Sequence, residues 1–149
     1  MAAGAGDTLA CECLRIVTDP ITRDDVLRGA SVAFVGWPVS VSCILDGQNV
    51  VAFDYVFEVS ETWLPASKRV TIRTPLSTCG LLFGPGVRYL VIGYGTPPPS
   101  VNRCSETAAE ADAQATLALL NKPLQHFPRT RSPRTKVTLV PRCVTSAAN

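Results

Sequence analysis

Two cysteines one residue apart, Cys11-Glu12-Cys13, precede the first segment with a folding pattern, and four more stand downstream as Cys43, Cys79, Cys104 and Cys143. Thiols in such a set can join as disulfides, ligate a metal or lie buried as small apolar groups. An even set suits three disulfides and an oxidising compartment, with the pairing left open by the count alone. Six buried thiols in a cytosolic protein is the alternative. Zinc fits less well, because Cys11-Glu12-Cys13 has no nearby Cys-x-x-Cys or histidine pair to complete a tetrahedral set. No intrinsic metal or cofactor is expected.

Groups that could run a reaction are sparse. The single histidine, His126, lies in a Pro- and Arg-rich stretch with no acidic residue near it in sequence. No nucleophile-elbow or zinc-protease motif accompanies it. The glycine-rich run around Gly80 lacks both the Gly-x-Gly-x-x-Gly spacing and a following Lys-Ser/Thr pair, so it does not read as a phosphate cradle. The chain is therefore read as a non-enzyme. Charge is unevenly placed: of 14 basic and 12 acidic residues, six basic and no acidic ones follow Asn121. Arg129, Arg131, Arg134 and Lys136 form a candidate patch for a polyanion such as nucleic acid or an acidic glycan. A solvated basic arm is the competing reading.

The elements that would position these groups are mostly extended. Ile21–Gly29 reads as a short helix, with Thr22 and Asp25 as a capping box and Gly29 as a stop. Val32–Cys43 reads as a strand with Phe34 on one face and Val35, Trp37, Val39 and Val41 on the other; Pro38 inside it implies an edge or a bulge. After a turn at Asp46-Gly47-Gln48-Asn49, Val51, Phe53, Tyr55, Phe57 and Val59 alternate in the strongest strand pattern of the chain. Arg69–Thr74 and the doubly apolar Val87–Tyr94 follow as strands, the second of them central. Gly84-Pro85-Gly86 reads as a turn and Thr96-Pro97-Pro98-Pro99-Ser100 as a stiff connector. Ser105–Asn121 reads as one long helix capped by Thr107 and Glu110, and Lys136–Val140 as a last strand that Cys143 fastens. Five strands with flanking short helices predict a mainly β, disulfide-braced, small closed or partly closed five-stranded barrel.

In order along the chain, Cys11-x-Cys13, a short helix, Tyr55-x-Phe57-Glu58-Val59, Trp63, Val70-x-Ile72, Thr74, Cys79-Gly80, Phe83, Gly86, Tyr89-Leu90-Val91 and Cys104 form a set that resembles the netrin-like family. Within that family the set is similar to the N-terminal domain of tissue inhibitors of metalloproteinases, over residues 11 to 121. The resemblance implies an OB-fold barrel and the bonds Cys11–Cys79 and Cys13–Cys104, which leave Cys43–Cys143 as the third. The first closure is then worth roughly 4 kcal/mol at most, so reduction is expected to unfold the domain.

The resemblance also implies a function. In the inhibitors the amine and carbonyl of the first cysteine chelate a protease zinc, which here would fall to Cys11. Glu12 would enter the specificity pocket, Cys13 and Leu14 would continue the ridge, and Ser77 and Thr78 would flank it. Because ten residues precede Cys11, its nitrogen is an amide, so inhibition is expected only where Cys11 is the N-terminus. Thr8-Leu9-Ala10 looks like the tail of a signal-cleavage site, and Met1–Ala10 reads as an extension ahead of the domain. The domain itself spans 11–143, with 144–149 as a tail. No run of transmembrane length is present. The composition suits a bacterial relative placed outside the cell or in its envelope. The expected role is a secreted protein-binding module, with an extracellular metalloprotease as one partner. The alternatives are a non-inhibitory structural or adhesion domain and a polyanion binder.

Overall fold

The structure is a computed structural model that describes residues 22–128 and 139–145. Helix α1 (Arg23–Leu27) starts where the capping box predicts. Thr22 Oγ1 accepts from the Asp25 amide at 3.2 Å and the Asp25 carboxylate accepts from the Thr22 amide at 2.9 Å. Gly29, at φ +73°, turns the chain into the first strand.

Strands β1 (Ala30–Asp46) and β2 (Asn49–Thr62) form a long antiparallel hairpin, and β3 (Arg69–Pro75) and β4 (Tyr89–Tyr94) flank it. The two-residue β5 (Ala108–Ala109), a 3₁₀ turn (Glu110–Asp112), α2 (Gln114–Leu120), β6 (Gln125–His126) and β7 (Arg142–Thr145) complete the order. The ladders run β3-β2-β1-β4-β5, with β6 on β2 and β7 parallel to β1.

This is a seven-stranded open sheet in a mixed α/β domain, not the five-stranded OB-fold barrel expected from the sequence. Between β3 and β4 only isolated bridges form, from Ser100 to Arg73 and to Tyr94. The reason lies in Pro97-Pro98-Pro99, because prolines carry no amide donor. The segment bonds β3 only through Pro99 O, which accepts from the Arg73 amide, and the Val101 amide, which donates to Arg73 O, while Ser100 exchanges its two backbone bonds with Tyr94 of β4. Most of the strand expected at Lys136–Val140 lies outside the described residues. Residues 129–138 lie outside the described residues, Leu139 and Val140 belong to no strand, and the last strand is β7.

Both faces of the sheet are covered. On one, Val32, Phe34, Val41, Tyr55, Phe57, Val59, Ile72, Phe83, Val91 and Val101 form a core. On the other, Val26, Ala33, Val35, Trp63, Leu90, Ile92, Ala113 and Leu120 pack the sheet against α1 and α2. Val41 shares the Phe34 side, contrary to the simple alternation. An extra residue, Val39, sits between the pairs Pro38–Phe57 and Ser40–Val56, and a bulge of one residue reverses the faces beyond it. Pro38 lies on β1 between the stretch paired with β4 and the stretch paired with β7, so its missing amide costs no ladder bond on that edge.

The expected helix at Ser105–Asn121 is the other correction. Thr107 caps nothing; buried, its hydroxyl accepts from the Ile92 amide at 2.9 Å and donates to the Ile92 carbonyl at 3.3 Å. That pins Ala108 and Ala109 as an edge strand on Leu90 and Tyr89, and the helix starts only at Gln114. Cross-strand bonds outweigh the few tenths of a kcal/mol per residue by which alanine favours helix.

Candidate functional site

Two places on the sheet gather chemically capable groups. The first is built on Cys79 and Cys104. Pro75 ends β3, and the chain folds back at once: the Gly80 amide donates to Ser77 O at 3.0 Å. Gly80 is required there, since a Cβ would collide with the Pro75 carbonyl. Ser77 Oγ accepts from the Cys79 amide at 3.2 Å, and Asn102 Oδ1 accepts from the Cys104 amide at 2.8 Å. Each cysteine thus ends a turn capped by a polar side chain two residues upstream. The Arg103 amide donates to Cys79 O at 2.8 Å and joins the two turns.

Cys79 and Cys104 are both disulfide-bonded. Cys11, Glu12, Cys13 and Leu14, named with them by the sequence, lie outside the described residues. So do Arg129, Arg131, Arg134 and Lys136 of the basic patch. Ser77 and Thr78 are exposed on the loop, and the Ser77 hydroxyl is engaged in the turn. Cys43 and Cys143 stand opposite each other on β1 and β7 and are bonded, with 4.3 Å between their Cα atoms.

The second place was not read from the sequence. β2 carries one extra residue, Ser60, between the pairs Val35–Glu61 and Gly36–Val59. Such a bulge re-aims side chains, and both Ser60 and Glu61 meet Arg88, which stands just before β4. Arg88 donates to Ser60 Oγ at 2.8 Å, pairs with Glu110 at 3.3 Å and approaches Glu61 at 3.7 Å. Its guanidinium also lies 5.2 Å from the centre of the Trp37 ring.

β6 pairs with the end of β2 and puts His126 Nδ1 3.6 Å from Glu61. The histidine that lacked an acidic neighbour in sequence has one in space. The trio Ser60, Glu61 and His126 is nevertheless not arranged as nucleophile, orienter and base. The Ser60 hydroxyl donates to Val35 O at 3.1 Å, so its proton is committed to the backbone. Among the described residues no cluster of three His, Cys, Asp or Glu is placed to hold a metal ion.

Among the described residues, three ionisable groups are displaced from their ordinary values. The Asp25 carboxyl is held low, first by the Thr22 backbone amide that it accepts from. Arg73 is raised by its hydrogen bonds to Asp54, at 2.8 and 2.9 Å across β2 and β3. Burial pushes the Tyr55 hydroxyl up. None of these lies at either candidate place.

The structure defines the class of protein only as far as a mixed α/β domain with a seven-stranded sheet and a long-range disulfide. No family model matches the chain, and no curated protein matches it. The netrin-like resemblance has the quoted residues alone behind it, and the closed barrel it implied is not the sheet that forms. No described helix is long and apolar enough to cross a membrane.

Proposed function

We propose that this is a disulfide-braced domain for use outside the cytoplasm, secreted or held in the cell envelope, that binds a protein rather than transforming a substrate. Its working edge is the paired turn at Cys79 and Cys104. The observation that carries this reading is that two disulfide-bonded cysteines, far apart in sequence, are held side by side by the Arg103–Cys79 bond, with Leu76, Ser77 and Thr78 exposed beside them. Side-by-side half-cystines suit partners close together in sequence, as Cys11 and Cys13 are. A stiff, covalently anchored edge loses little conformational entropy when a partner docks.

The test is retention of native extracytoplasmic proteins on the immobilised domain and on its Thr78→Arg variant. Partners held by the first and lost by the second support the edge; equal retention contradicts it. Inhibition of a metalloprotease by the form that begins at Cys11 would give the edge its partner. A polyanion role has its own readout: elution from heparin at the same salt as a protein of matched pI argues against it.

A further inference from the structure

The half-cystines of this domain stand in two kinds of surroundings. Cys43, 2% exposed on β1 and opposite Phe53 in the ladder, is bonded to Cys143 of β7, which is exposed. A reducing thiolate reaches this bond from the Cys143 side, and the sulfur it must expel is then Cys43. Burial disfavours that thiolate, so it leaves slowly. Cys79 and Cys104 are placed otherwise, both half-buried on loops. Arg103 brings a cation to both of their turns. It precedes Cys104 in the chain, its amide donates to Cys79 O at 2.8 Å, and its exposed guanidinium reaches Gly80 O, one residue beyond Cys79, at 3.4 Å. Among the described residues no carboxylate pairs with Arg103: Asp54 is taken by Arg73, and Glu106 accepts from Thr116 Oγ1 at 3.5 Å. A cation beside an accessible cysteine stabilises its thiolate and makes it the better leaving group.

We infer that the bonds at Cys79 and Cys104 are a redox-controlled fastening of the binding edge, opened by a dithiol reductant while Cys43–Cys143 stays closed. One thiolate of the reductant attacks a bond, and the Cys79 or Cys104 sulfur departs as a thiolate beside Arg103. The second thiol of the reductant then attacks the mixed disulfide, expels the remaining protein sulfur and closes the reductant's own disulfide. Two electrons pass to each protein bond, and the two protons given up by the dithiol go to the two freed cysteines. The turns themselves do not depend on sulfur. Ser77 O and Oγ hold the Gly80 and Cys79 amides, Asn102 Oδ1 holds the Cys104 amide, and Ser105 donates to Asn102 O from both its amide and its hydroxyl. Beyond them the Leu81 amide donates to Thr74 Oγ1, and the buried Phe83 packs on Tyr55, Phe57 and Tyr89. Opening the bonds therefore removes the covalent tether of the edge and leaves the sheet and its two cores in place. This inference rests on the reading of the paired turn as the binding edge, and it adds the control of that edge.

The test is timed reduction of the folded full chain with dithiothreitol, quenched with iodoacetamide and mapped by peptide mass spectrometry. Cys79 and Cys104 should be labelled about tenfold faster than Cys43 and Cys143, with the far-ultraviolet circular dichroism unchanged at that stage. Arg103→Glu should slow labelling at Cys79 and Cys104 about threefold and leave the rate at Cys43 alone. The form reduced only at Cys79 and Cys104, held in reductant without alkylation, should lose the partners that the oxidised domain retains. Labelling of Cys43 and Cys143 as fast as the other pair overturns the proposal, and so does loss of the dichroism in step with the first labelling. Equal retention by the half-reduced and oxidised forms overturns the control while the edge stands. Failure of the edge itself is read separately, as equal retention by Thr78→Arg.

Discussion

The two ends of β2 solve the same problem in opposite ways. Near Ser60 and Glu61, at one end, charges that the fold brings out of bulk water are matched with the domain's own groups: Arg88 takes Ser60, Glu61, Glu110 and Trp37, and Glu61 also faces His126. Near Ala52 and Pro75, at the other end, the chain is braced by turns and half-cystines, and leucines and small polar residues are left facing solvent. Apart from the buried Arg88 Nε, which has no hydrogen-bond partner among the described residues, the members of this half-buried charge network find partners inside the domain and leave little for a ligand. A rigid edge with displayed apolar groups has binding capacity that its own fold does not use. The comparison therefore favours the cysteine end for the proposed binding edge, although the charged end looks more like chemistry.

Breaking the braced end at its root should have the largest effect. Phe83→Ala removes a buried ring with three aromatic neighbours and is expected to cost about 3–5 kcal/mol, read as a lower denaturation midpoint. It should also free the loop that Phe83 anchors, seen as faster amide exchange at Leu81 and Gly84, whose amides donate to Thr74 Oγ1 and the Tyr89 hydroxyl. Removing Cys43–Cys143 by paired serine substitution opens a covalent loop with a sequence separation of 100 residues. The chain-entropy limit for such a loop is about 4–5 kcal/mol, reduced by the remaining disulfides, and guanidinium denaturation would measure the loss.

At the charged end, Arg88→Met leaves Glu61 and Glu110 without their shared cation. Because Arg88 is about one-third exposed, solvent screens the pair, and a loss of about 1–2 kcal/mol is expected. If that variant instead abolished partner binding with the fold intact, the contrast between the two ends would collapse. The smallest effect falls on α1. The Asp25 carboxyl is held below its ordinary value, so its contribution is present above the unfolded carboxylate pKa and disappears as pH falls through the lowered folded value. Exchange at the Val26 amide should rise in that acid range, and Asp25→Asn should flatten the rise.

The hairpin was readable in the sequence because its residues have one job each. Tyr55, Phe57 and Val59 alternate without interruption and all three join the first core. Thr22 and Asp25 cap α1 through local contacts that sequence spacing can specify. What failed to show were features decided at long range. Ser60 is an extra residue only relative to β1, and Ala108 is a strand residue only because Ile92 holds Thr107. The Arg88 network joins residues from Trp37 to His126, and no local pattern announces it. Two signals were present and overlooked. Three successive prolines at 97–99 are unable to continue a ladder, which argued against barrel closure. Ser77 and Asn102, each two residues before a cysteine, marked the paired turns of the candidate edge.

The central claim is that Cys79 and Cys104 are anchors for the segment that begins with Cys11-Glu12-Cys13, which makes the paired turn a built edge. Non-reducing proteolysis followed by mass spectrometry tests it directly. The account predicts one disulfide-linked species that joins the Cys11-Glu12-Cys13 peptide to both the Cys79 and the Cys104 peptides. A bond between Cys79 and Cys104 themselves, or free thiols at Cys11 and Cys13, would contradict it.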